Sequence, residues 1–276
     1  VYSFFHFFYF FPHGSEQGTY FRVFPGVAFK PETEDVIYDL TYGKGDFFNY
    51  LPTESNIYGT EIDMKAVKIA QYLYPKANLQ YGDIRQYSPV LSGDIVFGNP
   101  PFHLEWGTKE APVSSQMYYC KKAYQVLKNG GLLVLLVPES FLSDDFSNKG
   151  DIEEINHMFN LIVQFSLPAD AFKEYGVTSF RTKAMILQKK SQYVTERPYT
   201  TELEVLKRPQ EIYQTYVLPV LQERKKHTAK IYFECQNTDL EAKQKQVFQE
   251  KTVKLLFDIK RNRNIAHKAG LAEAIL

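Results

Sequence analysis

Cysteine is scarce. The 276 residues include two, Cys120 and Cys235, with no CxxC or His-Cys spacing between them. That excludes a disulfide framework and a sulfur-rich zinc site, and it fits a reducing cytoplasm. Net charge is absent too: 32 Lys and Arg balance 32 Asp and Glu. No overall field therefore recruits nucleic acid or a membrane surface, and only local charge matters. No apolar run approaches the roughly 20 residues that span a bilayer. Internal repeats are missing. What the chain has in quantity is aromatics, 20 Tyr and 22 Phe. They crowd the opening VYSFFHFFYFF, which lacks the basic region and small-residue cleavage site of a signal peptide. This stretch reads as a packing or aggregation-prone end without a function of its own. The start at Val1 rather than Met reads as a fragment or a trimmed start.

From Asp35 onward strands and helices alternate. Strands are expected at 35–40 (DVIYDL), 55–63 (SNIYGTEID), 77–83 (ANLQYGD) and 94–99 (DIVFGN). Apolar residues at helical spacing predict a helix over 64–74, stopped by Pro75, and another over 114–131, stopped by a double glycine. LLVLLVP (132–138) is apolar on both faces, as a central parallel strand must be. Two late strands, 161–168 and 182–190, have no full helix between them and form an antiparallel pair. The pattern is that of an α/β sheet with crossover helices. It divides the chain into an N-terminal segment (1–30), a catalytic domain (31–192) and a helical, partly basic extension (193–276) punctuated by Pro198, Pro209 and Pro219.

The chemistry-bearing residues sit where strands end, the edge at which open α/β sheets bind ligands. Gly43 and Gly45 in DLTYGKG allow a sharp turn and close backbone approach, but the spacing is neither a P-loop nor GxGxxG. Glu61 ends the second strand, where an acid can accept from both hydroxyls of a ribose. Asp63 reads as the cap of the following helix. Asp83 ends the third strand, where a carboxylate can accept from an adenine amino group. Together these residues describe a pocket for an adenosine-containing cofactor.

In order and spacing, DLTYGKG, YGTEID, YGDI, DIVFGNPPF and GGLLVLLVP resemble the class I S-adenosylmethionine-dependent methyltransferases, over roughly residues 35–190. Asn-Pro-Pro-Phe places the resemblance with amino-group methyltransferases, above all the adenine-N6 DNA enzymes. It implies a Rossmann-like seven-stranded, mostly parallel sheet with an antiparallel last strand. S-adenosylmethionine is the implied cofactor, held by Asp39, Gly43, Gly45, Glu61, Ile62, Asp83 and Ile84 and bordered by Asn99. The implied catalytic clamp is Asn99, Pro100, Pro101 and Phe102. The Asn99 side-chain oxygen and the Pro100 carbonyl accept from the target amino group, the prolines keep that carbonyl rigid, and Phe102 stacks on the base. The base has to leave its duplex first. Phe172, with Phe180 as the other candidate, closes its second face, and Pro138 and Glu139 border the target pocket. No metal is required.

The sequence departs from the family's pattern in three places. Leu40 stands where Pro usually follows the acid of the first motif, and QGTYFRVFPGVAF (17–29) offers Tyr20, Phe21 and Pro25 at altered spacing for the N-terminal cofactor segment. No large target-recognition region is present, so specificity is low or comes from a recognition subunit or a further domain. The basic stretches QERKKHTAK and KLLFDIKRNR serve either as phosphate contacts or as an ordinary solvated face. DNA is the expected partner. The rivals are methyltransferases of ribosomal RNA and of release-factor glutamine, together with a non-catalytic DNA-binding module of a larger mobile-element protein. Restriction-modification is one biological setting that fits.

Overall fold

A run apolar on both faces has to lie inside a sheet covered by helices on each side. The computed structural model places 132–138 there. It describes residues 21–24, 27–29, 35–51, 56–102, 104–108, 111–143, 149–168, 181–204 and 209–225. The chain divides into two units, Val1–Thr228 and Ala229–Leu276, and the second lies outside the described residues.

A short hairpin, β1 (Phe21–Phe24) and β2 (Val27–Phe29), comes first. Then follow β3 (Val36–Asp39), β4 (Asn56–Glu61), helix α1 (Met64–Leu73), β5 (Asn78–Tyr81) and β6 (Gly93–Gly98). A second hairpin, β7 (Glu105–Gly107) with β8 (Pro112–Ser114), leads into α2 (Ser115–Val126). The rest is β9 (Leu127–Pro138), α3 (Lys149–Met158), β10 (Phe159–Ser166), β11 (Thr182–Lys189) and α4 (Pro209–Ile212). Seven strands form one sheet in the order β10-β11-β9-β6-β3-β4-β5. The pairs from β5 across to β9 are parallel, and β11 is antiparallel to both its neighbours, as the sequence led us to expect.

Strand alternation sends Ile37, Ile95, Phe97 and Val134 to one face, under α1 and the helix after Pro209; Tyr38, Val96, Leu133 and Leu135 go to the other, under α2 and α3. From Leu132 to Val137 every side chain is at most 1% exposed. Helix α3 has no counterpart among the elements expected from the sequence.

Two expectations need correcting. Helix α2 stops at Val126, five residues before Gly131, because Leu127 is already extended (φ −71°, ψ 141°) and pairs with Gly93. The double glycine lies inside β9 at a register shift, and Gly130 takes φ +74° there. Pro219 does not punctuate. The helix runs through it because residues Tyr213–Val217 widen into a π-turn, with Leu218 N–H bonding Tyr213 O, just before the position where proline lacks its own N–H.

Past residue 192 the chain runs beside the outer edge of β10, which a free edge would otherwise expose to unwanted pairing. Leu161 N–H donates to Arg197 O (3.2 Å) and Glu204 N–H to Gln164 O (2.9 Å). Two buried amides extend the ladder with side chains. Asn160 donates to Thr195 O (3.0 Å) and accepts from Arg197 N–H (2.9 Å), while Gln164 donates to Thr200 O (2.6 Å). Arg224, in the basic stretch after Leu221, is not solvated: it bonds the fully buried Asp94 at the start of β6. Among the described residues no helix is long and apolar enough to cross a membrane.

Candidate active site

The parallel strands β3, β4, β5 and β6 all end at one edge, so the residues after them converge although they are far apart in sequence. After β3, Gly43 and Gly45 adopt φ +57° and +84°, and a short 3-10 turn, Asp46–Tyr50, follows. The two glycines differ. A Cβ at Gly45 would lie 2.7 Å from the Phe48 and Tyr74 rings, so packing demands glycine there. A Cβ at Gly43 meets nothing within 4 Å among the described residues. The backbone at Gly43 is thus bent toward open space, where a ligand can approach it closely.

The Glu61 carboxylate ties this loop to β4. One oxygen accepts from Gly43 N–H (2.9 Å) and the other from Asp63 N–H (2.8 Å). Each carboxylate oxygen has a further lone pair for a ligand hydroxyl. Ile62 beside it is 59% exposed at the same edge. Asp63 caps α1 by accepting from Lys65 N–H (2.8 Å), as its position predicted. Asp83 is engaged by the Arg85 guanidinium in a two-pronged ion pair, and it also accepts from Arg85 N–H (2.8 Å). The Arg85 fork holds the Asp83 carboxyl below the usual carboxylate range. Ile84 is turned into the core, 5% exposed.

Asp39 ends β3 at 1% exposure and accepts from Thr41 N–H (3.0 Å). Burial raises its carboxyl to about 8; the Thr41 N–H opposes that rise, and the nearby Glu61 charge adds to it. The folded protein therefore holds a proton on Asp39 at neutral pH, whereas the unfolded chain releases it near the ordinary carboxylate value of about 4. The stability this group contributes is fully present below about pH 4 and is lost as pH rises through 8. Asp39→Asn, neutral throughout, should flatten that part of the stability curve. Urea midpoints at pH 5 and 8.5 for both proteins check this, and an unchanged slope would count against a buried neutral acid.

Asn99 follows β6. Its side-chain oxygen is buried and has no hydrogen-bond partner among the described residues. Buried acceptors rarely go unpaired, because desolvation without compensation costs about 1–3 kcal/mol. Two threonine hydroxyls at this edge, Thr41 and Thr60, are orphaned in the same way. The residues after Asn99 are held in place by α2. Pro100 is buried, and the Pro101 carbonyl accepts from the Ser115 hydroxyl and from the Gln116 amide (3.2 Å). Phe102 is half-buried beyond them. At the end of β9, Glu139 N–H donates to Arg181 O (3.1 Å). Beside it lies Lys183, buried and paired in register with Val137, its ammonium pushed down to about 8 by burial against the opposing pull of Glu139.

Most of the residues read from the sequence thus share one edge: Asp39, Gly43, Gly45, Glu61, Ile62, Asp83 and Asn99–Phe102. Phe172 and Phe180 lie outside the described residues. Ser115, Gln116, Arg85 and Lys183 are not among the residues that sequence pattern singles out. Only the Ser-Gln pair opening α2 carries any local signal, as a polar helix start. Among the described residues no cluster of His, Cys, Asp or Glu is arranged to hold a metal.

No family model matches the chain, and no curated protein matches it. Solved structures do. A candidate class I S-adenosylmethionine-dependent methyltransferase from Listeria monocytogenes is similar with a TM-score of 0.53 and 18% identity, over 70% of this chain and 64% of its own. A modification subunit of a candidate type I restriction enzyme from Vibrio vulnificus has a TM-score of 0.49 and 18% identity, over 71% and 50%. The methyltransferase subunit of a type I restriction-modification system from Streptococcus thermophilus has a TM-score of 0.48 and 18% identity, over 61% and 46%. The chain covers less than two thirds of the length of each of these proteins. At such identities likeness speaks to fold alone, and on the first of them, together with the strand order above, this chain has the fold of the class I methyltransferases.

Proposed function

We propose that the protein is an S-adenosylmethionine-dependent N-methyltransferase acting on the exocyclic amino group of an adenine flipped out of DNA. The observation that carries this reading is the Asn99 side-chain oxygen, a buried acceptor without a partner among the described residues, at the mouth of the sheet. An adenine amino group is a weak nucleophile because its lone pair is delocalised into the ring. Acceptors aimed at its two hydrogens draw the nitrogen toward tetrahedral geometry and localise that pair. Asn99 Oδ1 and the Pro100 carbonyl are those acceptors, pre-oriented so that no reorganisation is needed during reaction. Pro100 and Pro101 limit the backbone, and Ser115 and Gln116 take up the Pro101 carbonyl, which supports a fixed path for the clamp. Phe102 and Phe172 stack on the base.

S-adenosylmethionine supplies the electrophile, a methyl group on a sulfonium. The open space over Gly43, the orphaned Thr41 and Thr60 hydroxyls and the remaining acceptor capacity of Glu61 fit an adenosine-bearing ligand. Asp83 takes the adenine amino group while keeping Arg85. Residues 31–192 carry the catalysis, and a partner or further domain supplies sequence recognition.

The test is direct. Labelled S-adenosylmethionine and adenine-unmethylated duplex DNA are incubated with the protein, and the DNA is digested to nucleosides. N6-methyladenine is expected. Label found instead in ribosomal RNA or in a protein glutamine would replace the DNA assignment, and absence of cofactor binding by calorimetry would remove the enzyme reading altogether.

A further inference from the structure

The ladder between β3 and β6 ends at the pair Asp39–Phe97. Just beyond it the two strands diverge into the loop bearing Gly43 and the loop bearing Asn99. One side chain joins them there. The Tyr119 hydroxyl, on α2, accepts from Leu40 N–H (3.0 Å) and donates to the Phe97 carbonyl. Tyr119 is 0% exposed, and the same hydroxyl lies against the Asp39 carboxyl. The ring reaches this point because residue 98 is glycine: a Cβ there would sit 2.3 Å from the Tyr119 ring and 2.7 Å from its hydroxyl. Gly98 thus makes room for the phenol immediately before the amide clamp begins.

We infer that Tyr119 is a positioning residue, which sets the spacing between the cofactor loop after β3 and the Asn99 clamp after β6. The inference rests on the methyltransferase reading for its catalytic consequence, but its geometric content stands apart from it. Leu40 opens the segment that presents Gly43, and Phe97 lies two residues before Asn99. A single hydroxyl holds a backbone donor at the start of one loop and a backbone acceptor near the end of the strand that leads into the other. When that hydroxyl is removed, Leu40 N–H and the Phe97 carbonyl each lose this buried hydrogen bond, and the two loops lose a shared anchor.

The molecule contains its own matched control. Tyr38, also 0% exposed, donates to Leu91 O (2.7 Å) and accepts from Leu91 N–H (3.3 Å), two backbone bonds on the chain leading into β6, ahead of its first residue. Tyr38→Phe likewise removes one donated and one accepted backbone hydrogen bond, part-buried where those of Tyr119 are fully buried, and away from the two loops. Both variants should melt at a lower temperature than wild type. Only Tyr119→Phe should lower kcat and cofactor affinity, each by about tenfold, from a small misplacement of the reacting groups. Hydrogen exchange supplies a readout independent of activity. In Tyr119→Phe the peptides covering 40–45 and 97–102 should lose protection together, and in Tyr38→Phe neither should. If the two variants match in exchange at these peptides, Tyr119 is only a packing residue and the inference fails, whether or not methyl transfer is found with any substrate. If exchange separates the variants while wild type binds no S-adenosylmethionine, the coupling stands and the functional reading falls.

Discussion

Asn99→Ala should lower the methyl-transfer rate by about 10²–10³-fold while leaving the protein as stable as before, or slightly more so. The two halves of that expectation have one cause. Removing a pre-oriented polar group that stabilises a transition state costs a factor of this size in enzymes that rely on it. Removing a buried acceptor that has no partner among the described residues costs nothing and relieves a desolvation penalty. A structural asparagine shows the opposite pattern, with lost stability and unchanged turnover. Thermal melting, single-turnover rate and cofactor affinity measured on one preparation separate the two. Affinity for S-adenosylmethionine should stay within about threefold, because Gly43, Glu61 and the threonine hydroxyls are untouched. Wild-type turnover in the alanine variant would end the assignment of Asn99 as an acceptor for the target amino group.

Asp94→Ala should have the largest effect on stability, a loss of about 3–5 kcal/mol in unfolding free energy. Asp94 is 0% exposed and accepts from Val36 N–H (3.0 Å), from the Lys128 ammonium (2.7 Å) and from the Arg224 guanidinium. Lys128 and Arg224 are themselves only 12% and 11% exposed, so alanine leaves two mostly buried cations without this counter-ion. The residue stands at the start of β6 and Asn99 after its end, so turnover per folded molecule should hold. Asp94→Asn keeps an acceptor for Val36 N–H and should fall between alanine and wild type. Urea denaturation gives the three values. Equal stability of wild type and Asp94→Ala would mean that the ionic cluster contributes nothing net, which buried ion pairs sometimes do when compared with apolar replacements.

Local pattern was enough to read much of this. Alternation and doubly apolar runs located all seven strands of the main sheet to within a few residues, since burial on one or both faces leaves a period-two or continuous signature in a short window. Asp63 as a cap and the glycine turn after β3 follow from backbone needs that only certain residues meet. The order of strand-end residues then put Glu61, Asp83 and Asn99 at one edge, because parallel strands with crossover helices leave no alternative. Where local pattern misled, a competing force won: helix propensity through Gly131 yielded to pairing of Leu127 with Gly93, and Pro219 was absorbed by a π-turn.

Partnership was decided by the tertiary structure alone. Tyr119 meets Leu40 across 79 residues and Arg224 meets Asp94 across 130, distances over which no periodicity or propensity carries information. Whether a polar atom is satisfied is likewise a property of the packed molecule. An asparagine after a strand is only a residue type in the sequence. In the packed molecule its oxygen is a buried acceptor with no partner among the described residues. The same holds for Asp83, whose position marks it as a strand-end acid but whose ion pair with Arg85 spans a local turn in which the one residue between them, Ile84, is buried in the core. Sequence determines which groups arrive at the edge of the sheet, because backbone geometry and burial act locally. Packing determines which of them are left with something still to bind, because hydrogen bonds are completed in space.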